Sequence, residues 1–231
     1  TAGALAGAAS GSLALTGYKD NVKTQPTRER LHWQQAYSIP ALLLLAGYVA
    51  HCWELLGSWA WTPSMVMASL EEWDLNPATK GLIVASAIHL AGMFSTLTIG
   101  TVSDCFNRAS VLIFMGAAGA ASSLLMGYCV SWGAGWSLML VFCGSFFIVG
   151  DSGVLSAAIA DNVPPEKLGS IMGIRSLMGF GIGSFAPLSF GEALDATHSW
   201  ERAYLVLAVG GAVACISAIA FKFRLKTYHK S

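Results

Sequence analysis

Ionisable residues stand in this sequence where their neighbours are otherwise apolar. His51, Glu54, Ser58 and Trp61 fall at i, i+3, i+7 and i+10 within the run 40–70, one face of a helix. His51 and Glu54 lie near the middle of that run. A carboxylate held in an apolar medium must be paired or protonated. His51, one turn before Glu54, is its expected local partner. Two chemistries fit: a proton-coupling or substrate-binding pair facing a central cavity, or a satisfied polar contact between helices. Asp151, in the stretch Gly150-Asp151-Ser152-Gly153, lies deep in another apolar run and poses the same choice, with a salt bridge to Arg175 as its structural alternative. Arg175 can snorkel to the membrane surface, pair with an acid, or hold an anionic substrate bidentately. His89 reads as a hydrogen-bonded packing residue.

Other chemistries lack their residues. There is no phosphate-cradling Gly-Lys loop, no zinc-ligand spacing and no trustworthy Ser/His/Asp arrangement. The five cysteines, Cys52, Cys105, Cys129, Cys143 and Cys215, are scattered and read as small packing residues. A haem between His51 and His89 has no further support. The expectation is therefore a protein that is not an enzyme and carries no cofactor or metal.

Those residues need elements to position them, and composition says which. Of the 231 residues 55% are hydrophobic and 11% charged, with 13 basic against 13 acidic groups, and mean hydropathy is +0.59. A soluble domain carries about 25% charged residues, so this chain cannot cover a globular surface. The zero net charge gives no bulk attraction to nucleic acid, and no nucleic-acid partner is expected. Apolar segments at 40–70, 81–103, 109–131, 136–160, 168–191 and 201–223 each reach the roughly 20 residues that span a bilayer. Lipid offers no partner to backbone polar groups, so helices are the expected state. Pro63 should kink the first helix in its outer half. The glycine-dense fifth segment, with Gly169 and Gly173 as a small-residue face and Pro187 beyond, should pack closely and bend.

Residues 1–18 are Gly/Ala-rich and uncharged, with Gly3, Gly7 and Gly11 spaced every four. They read as the end of a preceding membrane helix whose start is missing, or as a flexible leader. Residues 19–39 read as a basic linker and 224–231 as a tail. With the linker placed in the cytoplasm, Lys19, Lys23, Arg28, Arg30, Arg108, Lys167, Lys222, Arg224, Lys226 and Lys230 all fall inside, and only Lys80 and Arg202 outside. That bias puts the C-terminus in the cytoplasm. The fold class expected is all-α: a polytopic membrane bundle of six full helices at 40–223, plus a partial N-terminal helix.

The turn Gly100-Thr-Val-Ser-Asp104-Cys-Phe-Asn-Arg108 resembles the G-x-x-x-D-R-x-G-R signature of the major facilitator superfamily. Gly100, Asp104 and Arg108 match, while Cys105 and Asn107 depart from it. The family carries this motif between helices 2 and 3, with a weaker copy between helices 8 and 9. The loop Asp161-Asn-Val-Pro164-Pro165-Glu166-Lys167-Leu-Gly169 resembles the family's P-E-x-x-R-G loop between helices 10 and 11. The resemblance implies helices 7–12 of a secondary transporter, with residues 1–18 as the end of helix 6.

The same resemblance implies alternating-access transport of a small molecule or ion, coupled to protons, across the bacterial cytoplasmic membrane. A missing or separate N-terminal six-helix half would complete the site. A non-transporting membrane scaffold or assembly factor built on the same fold is the alternative. Gly100 is expected to let two helices approach, and Arg108, near Asp104 or Asp161, to latch an inner gate.

Overall fold

A computed structural model describes residues 38–228, and within them six segments are long and apolar enough to cross a membrane. The expected partial helix at 1–18, nearly all of the linker and the last residues of the tail lie outside the described residues. Helix α1 covers Ile39–Ser69, α2 Pro77–Cys105 and α3 Arg108–Met126. A 3-10 turn at Cys129–Trp132 leads into α4, Ala134–Asn162; α5 is Pro165–Gly183, α6 Ala186–Thr197 and α7 Trp200–Tyr228.

Local sequence sets the helix starts. Ser38 Oγ accepts from the Ala41 amide at 3.3 Å, Asn76 Oδ1 from Thr79 at 2.9 Å and Asn107 Oδ1 from Ser110 at 3.2 Å. Each side chain satisfies an amide that has no partner inside its helix. Prolines fall in the first turn of α1, α2, α5 and α6, where their missing N–H is not needed. Gly133 opens α4 at φ 90°, a conformation that requires glycine.

Two expectations change. The fifth segment is not one helix: the chain breaks at Ser184–Phe185 between α5 and α6. Pro187 can neither donate to the Gly183 carbonyl nor avoid its bulk, and glycines just before it resist the break weakly. The third segment ends as an α-helix at Met126 and finishes in the 3-10 turn. By contrast, α1 continues through Pro63 to Ser69.

Helix α1 is the centre of the unit, packing on α4, α5, α6 and α7, while α7 also packs along α3 and α2 along α4. Two apolar clusters fill the interior. One holds Leu44, Tyr48, Leu112, Met115, Leu155, Ile159 and Phe221; the other holds Leu55, Met65, Val66, Met126, Phe190, Tyr204 and Leu207. The buried residues His51 and Glu54 lie between them along α1. Apolar side chains at Leu82, Leu97, Phe114, Leu177, Leu188 and Ile216 point outward, as suits a lipid solvent.

Lipid tails are as apolar as leucine, so helices here associate through close packing and polar contacts. Gly116 and Gly211 supply the close packing between α3 and α7. A Cβ at Gly116 would lie 2.8 Å from the Cys215 amide nitrogen, and one at Gly211 2.7 Å from that of Ala120. The two glycines expected to be contact points, Gly169 and Gly173, behave differently: a Cβ on either meets nothing within 4 Å. Gly100 is equally open, so it does not mediate a helix approach among the described residues. The packed glycines of α5 are instead Gly179, against the Tyr48 ring, and Gly183, against the Cys52 backbone.

Gly116→Leu is expected to force α3 and α7 apart at a cost of about 1–3 kcal/mol. A lowered thermal midpoint in detergent is the readout, and an unchanged midpoint contradicts this contact.

Candidate functional site

The buried polar residues of α1 reach three different neighbours. His51 points to α4, where its Nδ1 lies 2.6 Å from Oδ1 of Asp151; both side chains are almost wholly buried. His51 Nε2 and Asp151 Oδ1 are both buried without a hydrogen-bond partner among the described residues, so the two side chains meet closely but not in hydrogen-bond geometry. Glu54 points to α3 instead, and Ser123 Oγ donates to its Oε1 at 2.6 Å. The expected His51–Glu54 pair is therefore not formed. Three residues along a helix turn the side chain by about 300°, and the 60° left over is enough to send the two groups to different helices.

Glu54 does not face an open cavity. It is 4% exposed, enclosed where α1, α3 and α7 meet. Gly119 and Gly211 make room for it: a Cβ on either would come within 3.1 Å and 2.7 Å of Oε2. The glycines that bring α3 and α7 together thus also shape the space that holds the carboxylate.

Ser58 and Trp61 are engaged internally. Ser58 Oγ and Thr62 Oγ1 are 3.0 Å apart, and Thr62 Oγ1 is 3.0 Å from the Tyr204 hydroxyl, forming a buried hydroxyl chain from α1 to α7. Trp61 Nε1 donates to the Pro187 carbonyl at 2.8 Å, and its ring stacks on Phe190 with centroids 5.2 Å apart. Both contacts hold α6 against α1 just past the break. Trp53 does similar work, donating to the Val206 carbonyl of α7 at 2.9 Å.

Arg175 neither snorkels nor pairs with Asp151. Its side chain is buried, and Cζ lies 3.5 Å from the centroid of the Tyr48 ring. Nη1 approaches Met172 Sδ at 3.4 Å, and Nε is buried without a partner among the described residues. The aromatic face offers some compensation to the cation. Sequence reasoning missed Tyr48, Ser123, Thr62 and Tyr204, because a lone hydroxyl in an apolar run carries no local mark of its partner.

The 100–108 turn and the end of α4 form a second cluster. Arg108 Nε donates to Asp161 Oδ2 at 2.6 Å, its Nη2 lies 3.0 Å from Asp104 Oδ1, and its Nη1 donates to Ser103 Oγ at 3.2 Å. Arg108 meets both expected acids and ties the α2–α3 turn to α4. Lys222 Nζ, donating to Ser110 Oγ at 2.9 Å, adds α7 on the same side. No group of three or more potential metal ligands occurs among the described residues.

Residues 48–231 match the family model of the Major Facilitator Superfamily. No curated protein matches the chain significantly.

Ser123→Ala leaves the Glu54 carboxyl without its hydroxyl donor and should cost about 1–3 kcal/mol. Glu54→Gln, whose amide oxygen can still accept from Ser123, should cost less. Thermal unfolding of both proteins checks that order, and the reverse order contradicts the assigned contact.

Proposed function

This chain belongs to the Major Facilitator Superfamily, a family of membrane transporters, and from that premise we propose that it moves a small solute by alternating access, driven by a proton gradient. In this reading it supplies the C-terminal six-helix half of a carrier. The N-terminal half is either the preceding part of a longer polypeptide or a separate chain. The setting is the bacterial cytoplasmic membrane; the distribution of basic residues supports a C-terminus on the inside.

The observation that carries the proposal is the His51–Asp151 contact between α1 and α4. With His51 protonated the contact is a charged pair, strong in a medium of low dielectric and lost when its acid takes up a proton. Proton binding at Asp151 would then loosen α1 from α4, and proton release would draw them together. Glu54 is a second proton-holding candidate, isolated behind Gly119 and Gly211. Arg175 is the candidate contact for an anionic part of the solute, because its Nε has no internal partner among the described residues. Ser58 and Trp61 act as positioning residues for α7 and α6, as their existing contacts favour. The Arg108–Asp104–Asp161 cluster serves as the inner latch, with Gly100 as part of the turn.

One observation favours the alternative of a non-transporting scaffold: Glu54, Ser58 and Trp61 use their polar atoms within the bundle. A scaffold, however, has no use for a proton-sensitive contact at Asp151, and substitution there separates the two readings.

In vesicles, Asp151→Asn should lower solute accumulation against a gradient at least tenfold while leaving solute exchange at equilibrium near normal. Undiminished accumulation by the variant contradicts the coupling role. Arg108→Ala, made with Cys105→Ser and Cys143→Ser, should raise labelling of a cysteine placed at the buried Ala158, beside Arg108 and Asp161, by a membrane-impermeant maleimide several-fold from the cytoplasmic side. An unchanged rate contradicts the latch.

A further inference from the structure

The residues on which the outer half of α1 opens are not those that the polar spacing selects. Trp59 is 51% exposed. Together with Pro63 and Met67 it forms one wall of a cleft of about 340 Å³, whose other wall is Ile88 and His89 of α2. Ligand sites run from about 300 to 1,000 Å³, so the cleft holds one ring system. His89 is exposed and makes no hydrogen bond or ion pair to the described residues.

His89 lies close to the middle of α2, at the depth of the bilayer interior. An imidazole facing acyl chains there would leave a donor and an acceptor unsatisfied, at a cost of several kcal/mol. The His89 side of this cleft is thus suited to water or a solute rather than lipid. Pro63 adds a third polar atom. It has no N–H, so the carbonyl of Trp59, four residues before it, lacks its helical donor. The cleft therefore presents an indole and an imidazole that both donates and accepts, with the undonated Trp59 carbonyl on the same turn of α1 as Pro63. No acid, lysine or arginine lines it, so it does not compensate a charged guest. The larger groove of about 520 Å³ between α1, α5 and α7 is different: Trp53, the one polar side chain in its lining, already donates to the Val206 carbonyl.

We propose that the Trp59–His89 cleft binds an uncharged aromatic group of the transported solute, with its ring on the Trp59 indole and a polar substituent between His89 and the Trp59 carbonyl. An aromatic ring is favoured over an aliphatic one by stacking on the indole, beyond the area it buries. The assignment of this guest to the cargo rests on the transport reading; the binding site itself does not.

A matched pair of neutral amides tests the site on the full chain in lipid nanodiscs, with binding read by ligand-observed NMR. Benzamide carries a ring, an N–H donor and a carbonyl, and cyclohexanecarboxamide differs only in being saturated. The wild type should bind benzamide saturably and about tenfold more tightly than its saturated analogue, a difference of about 1.4 kcal/mol. Trp59→Ala should abolish that preference and Trp59→Phe retain it. His89→Ala should weaken both amides several-fold, and Phe114→Leu, on the outer face of α3, should change neither.

Equal binding of the two amides, no saturable benzamide binding, or an unchanged preference in Trp59→Ala overturns the proposal. Normal amide binding by a protein that accumulates no solute would leave this site standing and count against the transport reading alone.

Discussion

A polar group inside a bilayer has no water to turn to, and the arrangement of this bundle obeys that constraint. Backbone groups satisfy one another within helices; side chains must find partners on neighbouring helices. One such contact in the middle of the unit joins His51 on α1 to Asp151 on α4 at 2.6 Å. Around it, Glu54 meets Ser123, Thr62 meets Tyr204, and Ser95 of α2 donates to the Phe146 carbonyl of α4 at 2.5 Å. The Thr62–Tyr204 and Ser95–Phe146 contacts cross between helices that also pack along each other. The polar pairs fix which faces meet, and the leucines, methionines and alanines fill what remains.

Glycine placement makes those pairs possible. Helices can exchange short side-chain contacts only where their backbones approach. Gly210 sits against the backbone of α1 beside Glu54, and Gly211, next in sequence, faces Ala120 of α3. One glycine pair on α7 therefore brings two helices toward the same carboxylate. The open glycines of α5, Gly169, Gly173 and Gly181, make no such approach to the described residues.

Much of the architecture was legible from residues alone. Hydropathy located six membrane segments because lipid demands long apolar helices. The Arg108 cluster was readable because its members lie in two short turns at one end of the bundle. The partner of His51 was not. A spacing of three residues says that His51 and Glu54 share a broad face, but that face borders both α3 and α4, and only the tertiary packing decides which helix each side chain meets. Gly100, Gly169 and Gly173 misled for the same reason: a small residue permits contact without specifying it. His89 resembled a packing residue because sequence carries no measure of exposure.

The central claim is that His51 and Asp151 act as one unit between α1 and α4, and a double-mutant cycle in thermal unfolding tests it most directly. His51→Ala, Asp151→Ala and the double variant should show an interaction energy of about 1 kcal/mol or more, since residues in contact couple by roughly 0.5–3 kcal/mol. Effects that simply add, within about 0.5 kcal/mol, would mean that the two side chains do not depend on each other, and would contradict the account.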